Sequence, residues 1–136
     1  MRWMAIDLGA KRTGIAVGDD ETRIVTPVDV ITTASAAERD RQLAQLIDDH
    51  APHALLLGLP LNMDGSEGKP AKQVRAIGDA LHAQFQLPVH YMDERLTSAA
   101  ADAQMSRSGL TRQQKKDRRD ALAAATILRD FFAKGD

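Results

Sequence analysis

The spacing of apolar residues changes once along this chain, and that change constrains the fold class more than any other feature. Before Ser35 the apolar residues fall in three short runs of β character: Trp3 to Leu8, Thr13 to Val17 and Arg23 to Ile31. Gly9-Ala10-Lys11-Arg12 separates the first two as a tight turn, and Pro27 interrupts the third. Proline donates no ladder hydrogen bond, so it marks an edge strand or a bulge. The short links predict a meander of antiparallel hairpins.

From Ser35 onward, helix alternates with strand. Ser35-Ala36-Ala37-Glu38 is a capping-box signature, with Leu43, Leu46 and Ile47 at helical spacing behind it. Ala54 to Leu57 reads as an apolar strand ended by Gly58-Leu59-Pro60, and Asp64-Gly65 marks a polar loop. Pro70 to about Gln86 reads as helix, Pro88 to Met92 as strand and Thr97 to about Met105 as a short helix. Ser108 to Lys116 reads as irregular and mobile, and Arg118 to Phe132 as a final helix. The order β-β-β-α-β-α-β-α-α predicts an α/β fold. Its mixed five-stranded sheet has three antiparallel strands, then parallel strands, and helices flank it. The 136 residues show no repeat or boundary and suit a single domain, 1–136.

Composition removes several function classes. Only 4% of residues are aromatic, which argues against base-stacking platforms. The absence of cysteine excludes disulfides, zinc–thiolate sites and iron–sulfur clusters, and is compatible with a reducing cytosol. The N-terminus lacks a signal-peptide pattern, and the longest apolar run, Ala54 to Leu61, is too short to span a bilayer. The expectation is a soluble cytoplasmic protein with no membrane partner. Net charge is −1, yet Arg107 to Arg119 holds six basic residues (Arg107, Arg112, Lys115, Lys116, Arg118 and Arg119) against Asp117. That segment is net +5 and the remainder −6. A basic strip on an acidic protein fits a phosphate backbone, although a solvated linker has the same composition.

Asp7 stands inside the first apolar run, where a carboxylate is costly unless paired, hydrogen-bonded or bound to metal. Asp93-Glu94 follows the fifth strand, at the end where ligands gather in α/β sheets, and Asp120 lies near the head of the last helix. Two carboxylates about 4 Å apart repel by roughly 4 kcal/mol at an effective dielectric near 20, so such a cluster persists only with protons or cations. Oxygen ligands favour magnesium or manganese over zinc. Two ions about 3.5–4 Å apart can activate water and stabilise the leaving oxygen of a phosphodiester. Each acid also has a plainer reading: Asp7 beside Lys11 or Arg12, Glu94 beside Arg95, and Asp120 in a helix first turn. The four histidines, His50, His53, His82 and His90, show no ligand spacing and read as surface or boundary residues.

Ala5-Ile6-Asp7-Leu8-Gly9-Ala10-Lys11-Arg12-Thr13-Gly14-Ile15-Ala16-Val17-Gly18 resembles the opening motif of the YqgF family of Holliday-junction-resolvase-like proteins, also called pre-16S rRNA nucleases. Gly58-Leu59-Pro60-Leu61-Asn62-Met63-Asp64-Gly65 resembles its central loop, Asp93-Glu94-Arg95-Leu96-Thr97 its third block, and Asp120-Ala121 leading into Ala124-Ala125-Thr126-Ile127-Leu128 its last. The blocks come in the family's order and span nearly the whole chain. The resemblance implies an RNase H-like fold and a metal-dependent nuclease using magnesium or manganese. Asp7, Glu94 and Asp120 match the family's catalytic acids and metal ligands.

On that resemblance, Lys11, Arg12 and Arg95 would steady phosphates, and Gly9 would let nucleic acid approach the backbone. Asn62 and its loop would flank the substrate, and Lys115, Lys116 and Arg119 would grip the backbone. Processing of the 5′ end of pre-16S rRNA is the leading function, which favours RNA over DNA and allows ribosomal precursor particles as partners. Resolution of four-way DNA junctions and non-catalytic nucleic-acid binding in ribosome assembly or transcription are the alternatives. A phosphotransferase of the actin-like type shares the first hairpin but needs two domains. No apolar patch announces an interface, which suits a monomer or weak dimer.

Overall fold

The computed structural model describes residues 1–94 and the helix 112–134, with side chains from residue 122 in that helix. The predicted short helix over Thr97 to Met105, the start of the predicted irregular stretch and Arg95 lie outside the described residues.

Five strands form one sheet: β1 (Arg2–Leu8), β2 (Arg12–Asp19), β3 (Val25–Thr32), β4 (Ala54–Leu59) and β5 (Val89–Asp93). Three helices complete the fold: α1 (Ala36–His50), α2 (Lys69–Phe85) and α3 (Arg112–Lys134). The strand order is β3-β2-β1-β4-β5. β1 pairs antiparallel with β2 and β2 with β3, whereas β1–β4 and β4–β5 are parallel. The predicted mixed sheet is therefore present, with β1 at its centre. Pro27 meets both expectations: β3 is an edge strand, and its register with β2 shifts between Ile15 and Ala16, opposite Asp29 and Pro27.

Alternation along the strands divides the core into two layers. Met4, Ile6, Ile15, Leu55 and Leu57 face one way, under α1 and α2 through Leu43, Ile47, Ala71, Val74 and Leu81. Trp3, Ala5, Ala16, Ala54 and Leu56 face the other way, under α3 through Ala124, Ala125, Ile127, Leu128 and Phe132. With both faces covered, β4 reads Ala-Leu-Leu-Leu and is buried throughout. The far end of α3 is anchored by aromatic contacts. The Trp3 ring lies 4.8 Å from Phe131 and 5.1 Å from His90, and its Nε1 donates to Asp20 at 3.2 Å.

Three local expectations change. First, β4 runs through Gly58 and Leu59, which pair with Met92 and Asp93, and it stops where Pro60 has no N–H to offer. Second, the capping box is half formed. Ser35 Oγ accepts from Glu38 N at 3.2 Å, but the Glu38 carboxylate turns to Arg41 and Gln42 instead of back to the cap. The Arg41 guanidinium, above all, holds Glu38 down at about 2. Ser35→Ala is expected to cost about 1 kcal/mol, readable in urea denaturation, while Glu38→Gln leaves the cap bond intact. Third, α3 begins at Arg112, so Arg112 to Lys116 is helical where an irregular stretch was expected. Arg, Gln and Lys are good helix formers even where no apolar residue marks the period.

Candidate active site

Asp7 is the only polar side chain on the α3-facing side of β1 beyond Trp3 and Ala5, and it is half-buried. It pairs with Gly14 of β2 on one side. The parallel register on the other side runs through Ile6 opposite Leu57, and one further step sets Asp7 beside Gly58. The carboxyl ends of β1, β4 and β5 point the same way, because these three strands are parallel. Ligands collect at that edge in α/β sheets.

Glu94 reaches this place from the end of β5. Asp93 pairs with Leu59, so Glu94 has passed the last rung, and its side chain turns back over β4 onto Gly58. Its Oε1 is withdrawn from solvent. Burial, the hydrogen bond to Asp7 and the negative charge of Asp7 push its carboxyl up to about 9, with Asp93 adding to the effect. At neutral pH Glu94 therefore keeps its proton and donates it in a hydrogen bond to Asp7. A carboxyl pair held together this way is the donor set a hard divalent cation takes, displacing the proton.

The fit to a cation rests on these two side chains. Among the described residues no group of three His, Cys, Asp or Glu forms a metal-holding cluster. Asp120 lies on α3, four residues before buried Ala124, on the helix that covers the Asp7 face of the sheet; its side chain lies outside the described residues. The side chains of Lys115, Lys116 and Arg119 lie outside them too.

The remaining candidates divide by what they touch. Lys11 is exposed on the turn after β1, and Arg12, which the structure places at the start of β2 rather than in that turn, is half-buried. Gly9 has a local duty, since a Cβ there would stand 2.5 Å from the Arg12 carbonyl oxygen. Asn62 is tied into its own loop. Its backbone N–H donates to the Ser66 carbonyl, its carbonyl accepts from Gly65 N, and its Nδ2 donates to Ser66 Oγ at 3.0 Å. Asp64 closes the same loop by accepting from Ser66 N and Oγ. Glu67 then grips Arg75 of α2 with both oxygens, at 2.6 and 2.9 Å, and the Arg75 guanidinium lies 4.8 Å over the Tyr91 ring of β5. Asn62 thus shapes the loop that follows β4, with Met63 94% exposed at its tip. The four histidines lie at the surface or its boundary, as expected; His53 Nδ1 accepts from Arg2 N, and His82 Nδ1 bonds the Leu87 carbonyl.

Gly58 was legible in the sequence only as the end of a strand. The signal that could have marked it is a glycine inside a leucine-rich buried strand, where it costs stability unless something approaches the backbone.

The family model described as "RuvX: Holliday junction resolvase" matches residues 1–134. A Thiobacillus denitrificans protein named "Putative pre-16S rRNA nuclease" is 38% identical over 129 residues, covering 95% of this chain and 89% of its own. A relative of the same name from Anaeromyxobacter sp. strain K is 36% identical over 132 residues, covering 97% and 96%. Among solved structures, the fowlpox virus resolvase bound to Holliday junction DNA superposes with a TM-score of 0.63 at 11% identity, over 98% of this chain and 97% of that one. Thermus thermophilus RuvC with its junction substrate gives 0.58 at 19% identity, over 99% and 96%. These likenesses agree with the strand order and establish the fold as RNase H-like. With a match that runs from the first strand to the end of the last helix, this chain belongs to the RuvX family of Holliday junction resolvases.

Proposed function

We propose that this protein is a metal-dependent nuclease that processes the 5′ end of pre-16S rRNA. The observation that carries this reading is the Asp7–Glu94 pair. Residues far apart in the sequence meet at the carboxyl edge of the sheet, the Glu94 side chain lying back over Gly58 with its Oε1 withdrawn from solvent and bonded to Asp7. Relatives named for pre-16S rRNA nuclease activity over nearly the whole length support the choice of substrate.

Asp7 and Glu94 would hold magnesium or manganese, with Asp120 completing the set from α3. The bound cations would supply charge neutralisation at the scissile phosphate and a lowered pKa for the attacking water. The chain's own residues do the rest. Asp7 orients through its position in a central strand, which cannot move without breaking two ladders. Glu94 holds a proton toward Asp7, which a cation bound between the two would have to displace. Lys11, on the turn after β1, and Arg12, which opens β2, would steady phosphates of the bound strand. Arg95, Lys115, Lys116 and Arg119 extend that run as backbone contacts, which fix position without reading sequence. The bonded loop from Asn62 to Ser66, which follows β4, would flank the substrate. No helix among the described residues is long and apolar enough to cross a membrane. The proposed site of action is the cytoplasm, on ribosomal precursor particles.

A second reading, resolution of four-way DNA junctions, is favoured by the family description and by the junction-bound neighbours. It needs paired active sites, hence a twofold dimer. The two separate on product analysis with purified protein and manganese. Cuts at one position near the mature 5′ end of precursor RNA, made by a monomer or weak dimer, support processing. Paired symmetric nicks in a junction, with precursor RNA left whole, would replace it with resolution.

A further inference from the structure

We infer that Gly58 is a positioning residue: the missing side chain at this place in β4 is the seat that holds the Glu94 carboxylate against Asp7. The inference deepens the reading of Asp7 and Glu94 as a cation site and rests on it for its metal half.

Three observations carry it. A Cβ built on Gly58 would stand 2.7 Å from both Cγ and Cδ of Glu94 and closer still to Oε1. Real Cβ contacts are longer, so any larger residue would have to push the Glu94 carboxylate aside from this position. Next, Gly58 is buried within a strand whose neighbours are Leu55, Leu56, Leu57 and Leu59. Glycine is among the poorest residues for such a strand, since it packs nothing and loses the most backbone freedom on folding. Finally, Gly58 shares the α3-facing side with Ala54 and Leu56, and the β1–β4 register places it next to Asp7. Glu94 starts beyond the last rung of β5, so its carboxylate reaches Asp7 only by lying across the place where a Gly58 side chain would be. The backbone of one strand thereby sets the spacing of two acids held by two others.

A double-mutant cycle between Gly58→Ala and Glu94→Ala, read by thermal unfolding in EDTA, tests the seat without metal or activity. In the wild-type background Gly58→Ala must displace Glu94 and lower Tm. In the Glu94→Ala background the clash is gone, and the same change should be neutral or stabilising. A coupling of about 4 °C or more is expected. Equal losses in both backgrounds would mean that the strand needs glycine for its own sake, and would overturn the inference. If Gly58→Ala alone does not fold, recovery of a folded protein in the double variant supports the seat, and failure of both overturns it. Manganese titration by calorimetry supplies the second readout. Folded Gly58→Ala should bind about 10–100-fold more weakly than wild type, as for other residues that orient a metal ligand. Equal affinity would overturn the inference. Wild type that binds no manganese would remove the cation reading itself, while the unfolding cycle still decides whether Gly58 seats Glu94.

Discussion

Asp7→Asn is expected to abolish cleavage while leaving nucleic-acid binding intact. Asparagine keeps the size and one oxygen but loses the charge that competes for a divalent cation, and no other described side chain on β1 can replace it. Losing about 4 kcal/mol of transition-state stabilisation corresponds to roughly a 10³-fold slower single-turnover rate. Binding should hold or tighten, because removing a carboxylate lowers the repulsion felt by phosphates. A variant that binds, unfolds cooperatively and does not cut has lost chemistry and kept its fold. A variant that binds and still cuts at the wild-type rate would move the active site elsewhere.

The second large effect is a pH dependence of stability that a metal ion reverses. Glu94 titrates near 4.5 in the unfolded chain and at about 9 in the folded one. Between those values the folded state holds a proton that the unfolded state has released. The sign follows: the stability that this group contributes is fully present below about pH 4.5 and is lost as pH rises toward 9. The slope is at most about 1.4 kcal/mol per pH unit for one proton. Glu38, held at about 2 by Arg41, acts in the opposite sense and only below its own unfolded value, so the two windows separate. In EDTA, wild-type Tm should fall between pH 6 and pH 9, and Glu94→Gln should flatten that fall, since its amide donates to Asp7 at every pH. Manganese must displace the Glu94 proton, so it should raise wild-type Tm more at pH 8.5 than at pH 6. An equal slope in Glu94→Gln would show that the proton sits elsewhere.

Much of this architecture was legible in the residues. Each strand carries its own apolar run, and the short hairpin links before Ser35 leave little freedom in pairing β1, β2 and β3. Asp7 stood out because a carboxylate inside Ala-Ile-Asp-Leu has no cheap structural reason. Glu94 was harder to separate from Asp93, since one residue of register decides which of them passes the end of β5 and turns back. The half-formed cap at Ser35 shows why a local motif is incomplete information: Arg41 and Gln42, three and four residues on, compete for the Glu38 carboxylate. The start of α3 was hidden because a run of Arg, Gln and Lys has helix propensity without an apolar period. Gly58 is the case that sequence could pose but not solve. A glycine among leucines signals a close approach, yet its partner lies a helix and a strand further along the chain, and only the fold brings them together.

The most direct test of the central claim is a cleavage assay on a 5′-labelled pre-16S RNA fragment. Protein stripped with EDTA would be titrated with manganese, beside Asp7→Asn from the same preparation. No cleavage is expected without metal, with saturable recovery as manganese is added, products ending in 5′ phosphate and 3′ hydroxyl, and no recovery in Asp7→Asn. Cleavage that proceeds in EDTA, or that manganese restores equally in Asp7→Asn, would contradict that claim.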